Sequence, residues 1–202
     1  MTTIAKLNAL VLAGGQSARM GVDKGLLEYH GQPQRLFIYN LLRAHCDMVY
    51  MSIRPDQQEE FSSDVDCIVD QNKYPGPFNG IMSAHLLYPA HAWLVVACDM
   101  PLINRKAITR LIAKRNPSSD ATAYKAKDKT IPEPLFCIWE PRGLMAAHDY
   151  LENGISNSPV KFLASSCLEI VKPLRDDVLV NINHQDHYRN LVKSIKEKNC
   201  ND

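Results

Sequence analysis

The sequence predicts an α/β fold, with a mostly parallel sheet covered by helices on both faces. Three observations predict it. Short apolar runs alternate with longer stretches of helical pattern over the first 115 residues. Those runs are apolar throughout rather than at every second position, as in strands buried on both faces. A glycine-rich loop follows the first of them.

In chain order, LNALVL (7–12) reads as a buried strand, followed by the loop LAGGQSARMGVDKG (12–25). Residues 34–46 fit a helix with Leu36, Phe37 and Leu41 on its apolar face. MVYMSI (48–53) is a second strand, and CIVD (67–70) a third that ends on an acid. Pro75-Gly76-Pro77 marks a rigid loop before a helix at 79–88, with Asn79 as the expected N-cap. WLVVACD (93–99) is a fourth strand, apolar until Asp99, and Asn104 caps a helix running to Arg115. The pattern then changes. ATAYKAK and EPLFCIWE are strands joined through DKTIP with no helix between them, so an antiparallel element is expected. Helices follow at 141–152 and about 159–166, strands near 168–172 and at 178–182, and a terminal helix from about 184.

A length of 202 residues, 46% of them apolar, suits one domain with a sizeable core. Within it the pattern divides into two halves, over about residues 1–115 and about 116–202. A net charge of +1, with Arg and Lys dispersed, argues against a nucleic-acid or membrane-surface binder. The six cysteines are widely spaced and form no CxxC pair, so they read as reduced thiols, several in apolar runs. The N-terminus lacks a signal-peptide pattern, and no run approaches the roughly 20 apolar residues of a membrane span. A soluble, cytoplasmic protein is expected.

Ligands of open α/β sheets bind at the carboxyl ends of the strands, and three features fall there. In the first loop, Gly14, Gly15 and Gly21 let backbone N–H groups approach an anion, Ser17 adds a hydroxyl, and Arg19 and Lys24 add positive charge. The composition suits a polyphosphate cradle; the alternative is an ordinary glycine-rich turn. The loop is not a Walker A motif, since Gly25 follows Lys24, and it lacks the dinucleotide G-x-G-x-x-G. The second feature is Asp99. It is either a carboxylate for Mg²⁺, which takes one or two carboxylates plus substrate phosphates, or a cap for the next turn. Asp70 is its obvious companion. The third is VNIN (180–183), where strand alternation puts Asn181 and Asn183 on one face, either to read an acceptor or to tie down a loop. His184 and His187 lack a third ligand, and Lys125, Lys127 and Lys129 read as a solvated edge.

LAGGQSARMGVDKG, the D-x5-GP-x2-G run from Asp70 to Gly80, and ACDMP closely resemble the molybdenum cofactor guanylyltransferase (MobA-type) group of nucleotidyltransferases. PEPLFCIW (132–139) and the NIN segment extend the resemblance over most of the chain. It implies a Rossmann-like, three-layer α/β/α fold with a mixed sheet. It also implies GTP and Mo-molybdopterin as substrates, with Mg²⁺, giving the guanine dinucleotide cofactor and pyrophosphate. Carried over by motif, Leu12, Ala13, Gly14 and Gly15 would hold the guanine and phosphate end of GTP. Lys24 would contact phosphates with Arg19 adding charge, Asp70 would lie near the ribose or base, and Asp99 would bind Mg²⁺. Asn181 and Asn183 would sit on the molybdopterin side. Other cofactor-biosynthesis proteins and molybdoenzyme chaperones are the partners such a role suggests. The chain departs from the pattern at Ser52, where the best-known members place Asn, and at His184-Gln185-Asp186, where many continue with Thr/Asp-Pro-Glu. The residues also leave open a cytidylyltransferase on the same pterin, a sugar-phosphate nucleotidylyltransferase, or a non-catalytic nucleotide-binding protein.

Overall fold

The structure, a computed structural model, describes residues 4–15, 23–182 and 185–199. These residues build a seven-stranded sheet in the order β3-β2-β1-β4-β6-β5-β7. The strands are β1 (Leu7–Leu12), β2 (Val49–Ile53), β3 (Cys67–Val69), β4 (Ala92–Ala97), β5 (Ala121–Tyr124), β6 (Phe136–Trp139) and β7 (Leu168–Val171). β1 pairs in parallel with β2 and β4, β2 with β3, and β5 with β7, while β6 runs antiparallel between β4 and β5. The expected antiparallel element is therefore β6, in the middle of the sheet's second half.

Among the described residues, five helices pack on the sheet, α1 (Gln34–Leu42), α2 (Phe78–Leu87), α3 (Arg105–Ala113), α4 (Pro141–Glu152) and α5 (Pro159–Ala164), and α6 (Gln185–Asn199) follows. Strand alternation sorts the core into two layers. Ala9, Val11, Met51, Leu94 and Val96 pack with Ile38 and Leu42 of α1 and Ile108 and Leu111 of α3. Leu10, Tyr50, Trp93 and Val95 pack with Phe78, Ile81 and Met82 of α2, Leu144 and Leu151 of α4, and Phe162 of α5. Continuous apolar strands with a core on each side are the physical content of a three-layer fold.

Helix ends follow local chemistry. Asn104 caps α3 as expected, accepting from the Ala107 N–H at 3.0 Å. α4 and α5 each begin with a proline, whose missing N–H costs nothing in the first turn. Two expectations fail. Asn79 is not the N-cap of α2: the helix opens at Phe78 after Pro77, and the Asn79 amide donates instead to Asn72 Oδ1 at 3.2 Å. The segment 178–182 is not a strand. It begins as a 3₁₀ turn at Asp176–Leu179, and Ile182 then donates one backbone bond to the Asp99 carbonyl at 2.9 Å. Both edges of β4 are already taken by β1 and β6, so VLVNI has no ladder to join there.

Candidate active site

The sheet reverses its winding between β1 and β4, and the crevice above that point is where an open α/β sheet binds ligands. A cleft of about 680 Å³ lies there. Leu12, Ser52, Asp70 and Asp99 contribute from the carboxyl ends of the first four strands, and Gly76, Asn79 and Gly80 from the start of α2. Gly76 sits at φ +70°, a left-handed conformation that glycine adopts without strain. It lets the Pro75-Gly76-Pro77 loop turn over the cleft.

Lys24 reaches the cleft from a 3₁₀ turn, Lys24–Leu26, that Asp23 caps by accepting from the Gly25 N–H at 2.8 Å. Gln57 steadies that cap, its amide donating to Asp23 at 3.2 Å. From this turn the Lys24 ammonium donates to Asp99 Oδ2 at 3.1 Å. Asp99 Oδ1 is buried and accepts no hydrogen bond among the described residues. A buried carboxylate oxygen without a partner is costly unless a ligand satisfies it. A divalent cation fits that donor, because Mg²⁺ takes one or two carboxylates with phosphates filling the rest of its shell.

Asp70 forms the second polar centre. Its backbone continues the sheet, donating to the Ile53 carbonyl at 2.8 Å, and its Oδ1 accepts from the Ser52 hydroxyl at 2.7 Å. Burial pushes its carboxyl up to about 6, while the Ser52 hydrogen bond and the Arg54 charge oppose the rise. Arg54 clamps the glycine loop by donating to the Gly14 carbonyl at 3.1 Å and pairs with Asp56. Cys98, beside Asp99, is buried, and that burial together with the Asp99 charge pushes its thiol up to about 12. It is therefore not a thiolate nucleophile. No histidine lines the cleft among the described residues.

Of the residues named from sequence, Leu12, Gly14, Gly15, Lys24, Asp70 and Asp99 all line this one cleft. Ala13 does not: it is buried, and its N–H is spent on the Ser52 carbonyl at 3.0 Å. Arg19 and Asn183 lie outside the described residues, as do Ser17 and Gly21. Asn181 stands off the cleft lining. The next residue bonds the Asp99 backbone, and Asn181 Oδ1 is buried without a hydrogen-bond partner among the described residues. Sequence reasoning missed Arg54, Asn72 and Tyr74, which also line the cleft. Arg54 was findable by the rule that found Asp70 and Asp99, since it directly follows a strand.

A mostly parallel sheet, a glycine loop after its first strand, and a lysine–aspartate pair at the switch point define an α/β enzyme of the nucleotidyltransferase class. Residues 9–166 match the MobA-like NTP transferase domain, and the chain belongs to that family. It is 37% identical over 183 residues to the molybdenum cofactor biosynthesis bifunctional protein of Synechocystis sp.. The match covers 90% of this chain and 52% of that protein, so the chain spans about half the relative's length. It is 35% identical over 147 residues to the molybdenum cofactor guanylyltransferase of Pseudomonas entomophila, covering 71% of this chain and 75% of that one. Among solved structures, molybdopterin-guanine dinucleotide biosynthesis protein A of Archaeoglobus fulgidus superposes with a TM-score of 0.77 at 18% identity, over 94% of this chain and 99% of that one. The last is a likeness of fold.

Proposed function

We propose that this chain transfers GMP from GTP to Mo-molybdopterin, yielding molybdopterin guanine dinucleotide and pyrophosphate. The observation that carries the reading is the Lys24–Asp99 pair in the cleft that Gly14 and Gly15 also line, with one Asp99 oxygen left without a hydrogen bond among the described residues. The relatives' names supply the substrates.

In this reaction a terminal phosphate oxygen of the acceptor attacks the α-phosphorus of GTP, and the bond to the bridging oxygen of pyrophosphate breaks. The attacking oxygen is already an anion, so the site needs no general base, in keeping with a cleft that no histidine lines among the described residues. Positioning and charge neutralisation remain for the protein to supply. Leu12, Gly14 and Gly15 hold the nucleotide by backbone contacts, Lys24 and Arg19 neutralise phosphate charge, and Asp70 accepts from the base or ribose. Asp99 would hold Mg²⁺, which supplies further neutralisation of the phosphates. Ala13 acts by packing the loop onto β2 rather than by contact. Asn181 and Asn183 serve the acceptor, in a half of the chain running from about residue 116, with the nucleotide half before it. The described cysteines Cys46, Cys67, Cys98, Cys137 and Cys167 are free, and among the described residues no helix is long and apolar enough to cross a membrane. Both fit a reaction in the cytoplasm.

The test is incubation with Mg²⁺, molybdate-loaded molybdopterin and each of GTP, CTP, ATP and UTP. Guanine dinucleotide and pyrophosphate are expected with GTP. Dinucleotide from CTP alone moves the chain to a cytidylyltransferase role, and no product from any nucleotide overturns the transfer reading.

A further inference from the structure

Ser52 is the last residue but one of β2 and is 1% exposed. Its hydroxyl has room only because α2 carries glycine opposite it: a Cβ on Gly80 would stand 2.2 Å from Ser52 Oγ and 2.9 Å from Leu12 Cδ2. That hydroxyl donates to Asp70 Oδ1. The other oxygen, Oδ2, lies against the first loop, where a Cβ on Gly14 would stand 2.8 Å from it. β2 and the first loop thus meet at one carboxylate, with α2 packed behind Ser52, and the carboxylate is held at one oxygen and offered at the other. We propose that Ser52 is the positioning residue for Asp70: its hydroxyl occupies Oδ1, so that Oδ2 alone is presented to an N–H or O–H donor of the nucleotide beside Gly14.

The inference rests on the reading of the cleft as a GTP site. The donor is either the guanine edge or a ribose hydroxyl, and both require an ionised Asp70. Among the described residues, Arg54, directly after β2, is the charged group facing Asp70. The first loop presents Gly14, and α2 presents Gly80 behind Ser52; neither ionises. GTP affinity therefore falls as the pH drops through about 6, where Asp70 protonates. Removing the Ser52 hydroxyl takes away one of the two influences that hold the carboxyl down, so the loss of affinity moves to higher pH.

The experiment measures GTP binding by the full chain between pH 5 and 8, together with KM and kcat, for the parent, Ser52→Ala and Asp70→Asn. A hydrogen bond to a charged group is strong enough that Ser52→Ala should weaken GTP binding about tenfold at pH 7. Its acid limb should shift upward, with the rise falling on KM rather than kcat. Asp70→Asn should flatten the pH dependence. ITP, which lacks the 2-amino group but keeps N1–H, and 2′-deoxy-GTP, which lacks the 2′-hydroxyl, each test the one donor they lack: an analogue whose binding is insensitive to Ser52→Ala has lost the donor Oδ2 serves. Circular dichroism checks folding, and Ser52→Cys, a weaker donor at the same place, carries the test if the alanine variant does not fold. A Ser52→Ala pH profile that superimposes on the parent's, or a fall in kcat and kcat/KM without a pH shift, overturns the inference and leaves the GTP reading standing. A parent that binds no GTP at any pH overturns both.

Discussion

At the scale of single residues, the cleft holds two carboxylates in contrasting surroundings. Asp99 has the Lys24 ammonium on one oxygen and, among the described residues, no hydrogen bond on the other. Asp70 has a neutral hydroxyl on one oxygen and sits in a drier place. For Asp99 the expected outcome is loss of function without loss of fold. Transition-state charge clamps are worth about 10²–10³ in rate for even a single donor. Asp99→Ala should therefore lower kcat by at least that much with an unchanged circular dichroism spectrum. Near-normal turnover at ordinary Mg²⁺ would remove Asp99 from the cation site. For Asp70 the expectation runs the other way for stability. Its carboxyl is raised from 3.8 to about 6 in the folded state, so between those values the folded protein binds the proton that the unfolded chain has released. Stability from this group is therefore greatest below about 4 and is lost as the pH rises to about 6. At about 1.4 kcal/mol per pH unit, the penalty at pH 7 is on the order of 2–3 kcal/mol. Asp70→Asn should relieve much of it, raising the melting temperature of the ligand-free protein at pH 7 while weakening GTP binding. A variant no more stable than the parent at pH 7, or one stabilised equally at pH 4, contradicts the assignment.

At the scale of elements, continuous apolar runs make the strands legible in the sequence. Because ligands gather at strand ends, the same runs mark Asp70 and Asp99 as residues of the cleft mouth. Composition alone hides where a segment finds a partner. VLVNI has strand-like alternation, yet the neighbouring edges of β4 are filled, so it makes a turn and one bond to Asp99. Asn79 has the chemistry of a cap, but Pro77 sets the start of α2 and Asn79 falls inside it. The seating of α4 is equally invisible in the sequence. Gly143 lies so close to the strand lead-in that a Cβ would stand 2.1 Å from the Asp120 carbonyl oxygen and 2.7 Å from its carbon. Backbone cannot swing aside as a flexible side chain can. Gly143→Ala must lift α4 from the sheet, where Leu144, Ala147 and Leu151 are buried. Overpacking of this kind costs about 1–3 kcal/mol or more, which for a chain of this size lowers the melting temperature by roughly 2–4 °C per kcal/mol. An unchanged melting temperature would mean that the helix is not seated this closely.

At the scale of the whole molecule, the sheet brings segments from residue 12 to residue 135 around one cleft, and the remaining question is which base that cleft selects. The glycine pair of the first loop offers a clean probe. A Cβ on Gly14 would collide with Asp70, so any substitution there disturbs the protein itself. A Cβ on Gly15 meets nothing within 4 Å among the described residues, so Gly15→Ala should fold and melt like the parent. If a purine lies against Gly15, as the resemblance implies, the added methyl meets the ligand instead, and its effect appears in nucleotide choice alone. Guanine also offers the N1–H and 2-amino donors, which loop carbonyls and Asp70 can accept. A base lacking them leaves buried acceptors unpaired, and sites built to bond a substrate donor reject analogues without it by large factors. The parent should therefore prefer GTP over CTP in kcat/KM when both compete at equal concentration for one pterin acceptor. Gly15→Ala should narrow that preference chiefly by lowering the GTP term, with the melting temperature unmoved. A parent that prefers CTP would place the base against other residues, and a Gly15→Ala variant with the parent's GTP-to-CTP ratio would take Gly15 out of base selection.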